Sequence, residues 1–98
     1  MTNRYSELAA TVAAMGEAQA ARALIVEGAP SDDAILGGLF RLTTHGVVDV
    51  EAYTEAYDAT DKFGKFRGAH ARLAAARLYN EARATARGGR ALRPILPF

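Results

Sequence analysis

A chain of 98 residues has room for one domain and one modest hydrophobic core. The lack of cysteine excludes disulfides and thiolate chemistry. We expect a cytoplasmic protein, because neither a signal-peptide pattern nor an apolar run of ~18 residues is present. The formal net charge of +1 hides a strong asymmetry: ten of the eleven acids lie in the first 61 residues, and nine of the twelve Lys and Arg lie between Lys62 and Arg93.

The expected core is small, because many of the apolar residues are alanines and an alanine adds little buried area. We therefore expect close helix packing around scattered large side chains. The residues expected in the core are Tyr5, Leu8, Val12, Met15, Leu24, Ile25, Val26, Ile35, Leu36, Leu39, Phe40, Leu42, Val47, Val48, Tyr53, Tyr57, Phe63, Phe66, Leu73, Leu78 and Tyr79.

The first predicted helix runs from about Asn3 to Glu27. One stripe repeats at alternating spacings of 3 and 4 residues, which is typical of a helix face. Gly28 is expected to cap this helix, and Pro30 to stop it. The spacing also suits a coiled-coil homodimer, but polar residues within the stripe favour a bundle core. The stripe consists of Tyr5, Leu8, Val12, Met15, Gln19, Arg22 and Val26.

Two shorter helices are predicted next, over residues 32–44 and 50–60. Ser31 and Asp49 are expected to cap them. Gly37 and Gly38, inside the first of the two, indicate that another helix crosses closely. The second is amphipathic, with apolar side chains on one side and an acidic face on the other. Its apolar side holds Val50, Tyr53, Ala56 and Tyr57, and its acidic face holds Glu51, Glu55 and Asp58.

The fourth predicted helix covers residues 69–87 and ends at Gly88 and Gly89. Alanines on more than one of its sides predict a central position in the fold. Residues 1–89 are expected to form one helical domain, and residues 90–98 an extended arm, because prolines in the arm prevent a helix there. The arm either covers the chain's own core or inserts into a groove of a partner. Its apolar residues are Leu92, Ile95, Leu96 and Phe98.

The strongest chemical signal is a basic strip on the fourth helix, formed by Arg72, Tyr79, Arg83 and Arg87 at helical spacing around Ala76. Guanidinium groups bind phosphates, and a tyrosine ring can stack on a base. The same strip also suits an acidic protein surface. Because the first 61 residues are acidic, we expect some of these arginines to pair within the fold.

A second basic cluster precedes that helix. Lys62, Lys65 and Arg67 lie where cations oppose the helix dipole. A bound phosphate would resolve this conflict. The simpler resolution, which we favour, is the presence of Asp58 and Asp61 nearby.

Other kinds of site find little support. A helix-turn-helix reading fails because its recognition helix, residues 50–60, is acidic and DNA would repel it. His45 with Asp49 supplies too few ligands for a metal. No nucleophile motif or phosphate-binding loop is present. We therefore expect no enzyme activity, no cofactor and no metal.

The sequence thus predicts an all-α fold, a small four-helix bundle or orthogonal helical array with an extended C-terminal arm. The leading hypothesis is a non-enzymatic protein–protein interaction module: an adaptor, an assembly subunit or a phage-type inhibitor of a larger complex. It would use a charge-segregated helical surface and the apolar arm. The expected partner is a protein, for which an acidic surface would suit the basic strip, and no membrane contact is expected. The alternative is a nucleic-acid-binding protein that contacts phosphate through the fourth helix.

Overall fold

Five α-helices account for most of the residues that the structure describes. The computed structural model describes residues 2–91, with side-chain surroundings for residues 2–88. The predicted all-α class is confirmed, with five helices rather than four. The helices are α1 (Arg4–Val12), α2 (Glu17–Val26), α3 (Asp32–Thr44), α4 (Val50–Asp58) and α5 (Ala69–Ala91).

The prediction of one continuous helix from Asn3 to Glu27 is wrong. The helix breaks after Val12, and Gly16, in an extended conformation, precedes α2. A continuous helix would have turned Gln19 and Arg22 toward the core along the predicted stripe. The break changes the rotation of the second half, so that α2 buries other residues and leaves both of these polar side chains exposed. A coiled-coil seam along residues 3–27 is therefore ruled out.

The ends of α2 and α3 confirm two predicted stops. Gly28 and Gly46 have φ angles of 68° and 78°, in the left-handed region that glycine adopts without strain. The N–H groups of Ala29 and Val47 each donate at 2.9 Å to the carbonyls of Leu24 and Leu42. These are the hydrogen bonds of Schellman caps, which satisfy carbonyls that the helix leaves without partners.

Both predicted N-cap residues occupy their positions, although only one of them makes a capping hydrogen bond. Ser31 Oγ accepts from the N–H of Ala34 at 3.2 Å. Asp49 precedes α4, but its side chain makes no capping hydrogen bond. The acid still lies where the helix dipole favours a negative charge.

The longest helix, α5, is central, as its alanine pattern predicted. Residues 73–76 are consecutive and all buried, and α5 packs against α1, α2 and α3. The predicted end at Gly88 and Gly89 is wrong, because α5 continues to Ala91. Two glycines cost only about 1 kcal/mol each in a helix, and alanine and arginine beside them are good helix formers. The rest of the predicted arm, residues 92–98, lies outside the described residues.

Small side chains form much of the core. Seven of the 17 buried apolar residues in the described part of the chain are alanines. Several large residues predicted to lie in the core are exposed instead, which corrects the sequence-based list. Close helix packing explains the difference, because helices that meet through alanines leave little room for rings between them. The exposed residues are Ile25, Val26, Phe40, Val47, Tyr57 and Phe63.

The crossing of α3 and α5 depends on Gly38. A Cβ atom at this position would overlap the ring of Tyr79, whereas a Cβ at Gly37 would meet nothing within 4 Å. The glycine pair predicted a close crossing, and the structure confirms it at Gly38 alone.

Substituting the two glycines separately is a test of this crossing. Gly37→Ala should leave stability unchanged or raise it by up to about 1 kcal/mol, because alanine is the better helix former. Gly38→Ala gains the same propensity but must displace the Tyr79 ring, so we expect it to be less stable than Gly37→Ala by about 1–3 kcal/mol. Urea unfolding followed by circular dichroism measures both. Equal stabilities would show that the ring moves aside at no cost.

Candidate functional site

Arg72, the first residue of the predicted basic strip, is engaged inside the fold. Its Nε atom lies 2.9 Å from Asp32 Oδ1, and its Nη2 donates to the carbonyl of Pro30 at 2.7 Å. The Nε–H is not aligned for a hydrogen bond, so charge attraction dominates the contact with Asp32. Arg72 is therefore not an exposed phosphate contact.

Asp32 joins three segments of the chain. It lies in the first turn of α3, its Oδ1 pairs with Arg72 on α5, and its Oδ2 accepts from the N–H of Phe66 at 2.9 Å. Sequence reasoning assigned this acid to the helix dipole alone. Its tertiary partners lie 34 and 40 residues away along the chain, where no local pattern could reveal them.

The rest of the strip is not continuous. Ala76 is buried, and the half-buried Tyr79 has its ring against α3 at Gly38. The Arg83 guanidinium carbon lies 4.9 Å from the centroid of the same ring, a cation–π contact. Arg83 and Arg87 are exposed, so the structure leaves two of the four predicted residues accessible and does not place Tyr79 for base stacking.

Two further arginines also pair across helices. Arg77 on α5 lies 2.8 Å from Glu27 beside α2, and Arg4 on α1 pairs with Glu81 on α5. The hydrogen bonds from these arginines hold the pKa values of Glu27 and Glu81 below their ordinary value of 4.5. As expected from the charge asymmetry, the basic helix and the acidic half of the chain partly neutralise one another.

The turn before α5 is filled by its own carboxylate. Asp61 Oδ1 accepts from the N–H groups of Phe63 at 2.8 Å and Lys65 at 3.1 Å. These hydrogen bonds, that of Lys65 first, lower the pKa of Asp61. The amides that an external phosphate would need are therefore occupied, which supports the simpler of the two explanations for this basic cluster.

The three basic side chains of that turn remain near the surface. Lys62, Lys65 and Arg67 are all exposed, and Arg67 Nε donates to the carbonyl of Thr60 at 3.1 Å. The Lys62 ammonium lies 5.3 Å from the centroid of the Phe63 ring. The structure thus brings these cations together, but not around an open cradle of backbone N–H groups.

The predicted acidic face forms a continuous stripe on the outside of α4. We call Glu51, Glu55 and Asp58 the acidic stripe; all three are exposed. Glu55 accepts a hydrogen bond from Asn3 Nδ2 at 2.6 Å, but no Lys or Arg among the described residues pairs with the stripe. The stripe lines an open depression of about 320 Å³ beside Asn3 and Val50. Its negative charge is uncompensated locally.

A surface that sequence reasoning missed lies beside this stripe. Phe40 on α3 and Tyr53 and Tyr57 on α4 form an aromatic ladder, with ring centroids 5.9 and 6.1 Å apart. Phe40 is 56% exposed and Tyr57 is 55% exposed, while partial burial raises the pKa of Tyr53. The sequence assigned all three rings to the core.

One sequence signal could have found the ladder. Ala52 and Ala56 offer α4 a second apolar side, and the structure buries these alanines. Tyrosine also carries a hydroxyl that is most easily satisfied at a surface. An alanine side and a tyrosine side on one short helix therefore indicate that the alanines face the core and the tyrosines face outward.

Neither a metal site nor a membrane segment is found in residues 2–91. The described side chains include no group of three or more His, Cys, Asp and Glu placed to hold a metal ion. Over the same residues, no helix has the length and apolar character needed to cross a bilayer.

The joint at Asp32 can be tested against its neighbour. Asp32→Ala removes the partner of Arg72 and the acceptor for the Phe66 N–H, whereas Asp33→Ala removes an exposed acid from the same first turn. Both variants lose the same dipole interaction. We expect Asp32→Ala to be less stable by about 1–2 kcal/mol more than Asp33→Ala in urea unfolding. Equal losses would contradict a structural role for this joint.

Acid should destabilise the fold through its paired carboxylates. Because the pKa values of Glu27, Asp61 and Glu81 are lowered by folding, their contribution is fully present above the ordinary values. It disappears as the pH falls through the lower folded values. Glu27→Gln should lose a few tenths to about 1 kcal/mol near neutral pH, since solvent screens the pair, and should show a shallower loss in acid.

Urea midpoints measured from about pH 7 to about pH 2 check this dependence. Glu17→Gln is the control, because Glu17 is exposed and makes no ion pair with any described residue. A Glu27→Gln curve parallel to that of the unsubstituted protein would show that the pair does not contribute.

Comparison with known proteins found no match. No protein-family model, no curated protein and no solved structure matches this chain. What the chain does must therefore be inferred from its own geometry and chemistry.

Proposed function

We propose that this chain is a small non-enzymatic protein–protein interaction module that docks through the aromatic ladder. An adaptor, an assembly subunit and an inhibitor of a larger complex would all work in this way. The exposure of Phe40 and Tyr57 in a ladder with Tyr53 is the observation that carries the proposal. Clustered exposed apolar surface often marks an interaction site, and aromatic residues are enriched in protein interfaces.

Leaving these rings in water forgoes stabilisation. Burying a phenylalanine side chain is worth about 1.5–3 kcal/mol, and a domain of this size has little stability to spare. A partner that covers the ladder would recover part of this free energy. Tyrosine is also among the residues that most often dominate binding energy.

The ladder is held by rigid supports. Phe40 follows the fully buried Leu39 on α3, and Tyr53 and Tyr57 each follow a buried alanine on α4. The short connection between the two helices begins at the glycine cap, Gly46. Because the rings are pre-positioned, binding would cost little ordering entropy.

A second exposed apolar pair, Ile25 and Val26 on α2, is a weaker candidate. These side chains are 81% and 77% exposed, but they are aliphatic and no ring joins them to another helix. Valine is under-represented among residues that dominate binding energy. The pair is therefore a suitable control for the ladder.

Other predicted features stay predictions. The arm residues Leu92, Ile95, Leu96 and Phe98 lie outside the described residues, and their docking on a partner is still to be tested. A cytoplasmic location remains part of the proposal. Nucleic-acid binding has less support than protein binding, because Arg72 is engaged with Asp32 and the Tyr79 ring is covered by Gly38 and Arg83.

The ladder can be removed without changing the helices. Phe40→Ser with Tyr57→Ser deletes two exposed rings, and serine has about the same helix propensity as either aromatic residue. We expect the melting temperature to change by no more than a few degrees, because the rings contribute little to the core. Partner binding should fall by at least about tenfold, as for residues that dominate an interface.

Affinity capture from the source cells measures the binding, with bound proteins identified and quantified by mass spectrometry. Ile25→Ser with Val26→Ser is the matched control, because it removes exposed apolar area from α2 alone. A protein captured by the original chain and the control, but not by the ladder variant, is the expected result. If the ladder variant captures every protein in undiminished amount, the proposal is wrong.

A further inference from the structure

Resting on the proposed function, we infer the chemical class of the partner: an amphipathic helix of another protein that carries arginines beside an apolar face. Its apolar side chains cover the aromatic ladder, and its arginines meet the acidic stripe.

Charge complementarity is the first reason. Residues 31–61, which include α3 and α4, contain seven acids and one arginine, a net charge of −6 with histidine neutral. Asp32 is paired with Arg72, and backbone N–H groups hold Asp61. The three acids of the acidic stripe have no cationic partner among the described residues. A basic partner would gain favourable contacts here, while an acidic one would be repelled.

The arrangement on α4 is the second reason. At about 100° per residue, Tyr53 and Tyr57 lie on one side of the buried alanines and the acidic stripe lies on the other side. Each set follows the helix for one to two turns, so the stripe from Glu51 to Asp58 is about 10 Å long at 1.5 Å per residue. Two parallel stripes of different chemistry match a helix that has adjacent apolar and basic sides.

Arginine fits this surface better than lysine. The planar guanidinium stacks on aromatic faces and also forks onto carboxylates. The chain already contains one such contact, Arg83 on Tyr79. Exposed faces of Phe40 and Tyr57 lie next to the acidic stripe, so one arginine could satisfy both interactions.

A second copy of the chain fits less well. In the described residues, Arg83 and Arg87 form an exposed basic pair on α5, far along the sequence from the ladder. A contact between α5 of one copy and α4 of another would be head-to-tail, and it would leave a free ladder at the end of every assembly. Such a contact produces growing chains rather than a closed dimer.

A displayed library of random 16-residue peptides tests the inference without presupposing the answer. The library is selected on the unsubstituted protein and counter-selected on the Phe40→Ser, Tyr57→Ser variant, so that only ladder-dependent peptides remain. We expect these peptides to be net positive, with arginine enriched over lysine and with apolar residues at helical spacing.

The outcomes separate this inference from the proposed function. Ladder-dependent peptides that are neutral or acidic overturn the arginine inference and leave the docking surface in place. The absence of any ladder-dependent peptide overturns both. Light scattering covers the remaining occupant: a mass that grows with concentration, and does so only with an intact ladder, assigns the surface to a second copy and overturns the inference.

Charge reversal supplies the quantitative test on the strongest selected peptide. Glu51→Lys is compared with Glu17→Lys, because both residues are exposed acids in the first turn of a helix and only Glu51 belongs to the acidic stripe. We expect Glu51→Lys to weaken binding by about fivefold to thirtyfold and Glu17→Lys by less than about twofold. Equal effects of the two substitutions would show that only the overall charge matters, and the inference would fall.

Discussion

Close packing of small side chains around α5 is the constraint on which the rest of this structure depends. Four of the seven buried alanines lie on α5, so the surrounding helices must approach closely to exclude water. At the crossing with α3 the space is so limited that Gly38 has no room for a Cβ atom beside Tyr79. Rings on the outer sides of α3 and α4 cannot enter such an interior. The aromatic ladder is therefore a consequence of the alanine core.

Ion pairs complete the attachment of α5 to its neighbours. Arg72 reaches the start of α3, Arg77 reaches Glu27 beside α2, and Glu81 reaches α1 through Arg4. These contacts consume much of the charge asymmetry that would otherwise indicate a nucleic-acid surface. What remains unpaired in the described part of the chain is the acidic stripe, next to the ladder, together with exposed cations elsewhere. The internal pairing thus decides which surface is available to a partner.

The sequence predicted parts of the candidate site but not their arrangement. It identified Glu51, Glu55 and Asp58 as a solvated face, because acids at helical spacing rarely point into a core. It placed Tyr53 and Tyr57 in the core, since tyrosine and alanine both count as apolar in a periodic pattern. Which of two apolar sides of α4 turns inward depends on the volume that α1 and α3 leave free, and a single helix does not contain that information.

The sequence by itself determined the helical class, the ends of α2 and α3, and the central position of the alanine-rich helix. Those features arise from local chemistry: Gly28 and Gly46 adopt a left-handed conformation, Ser31 accepts a backbone hydrogen bond, and alanines cover several sides of one helix. Only the tertiary structure decided the break before Gly16, the role of Asp32 and the exposure of the aromatic ladder. Each of these depends on residues far apart in the chain competing for the same limited space and the same opposite charges.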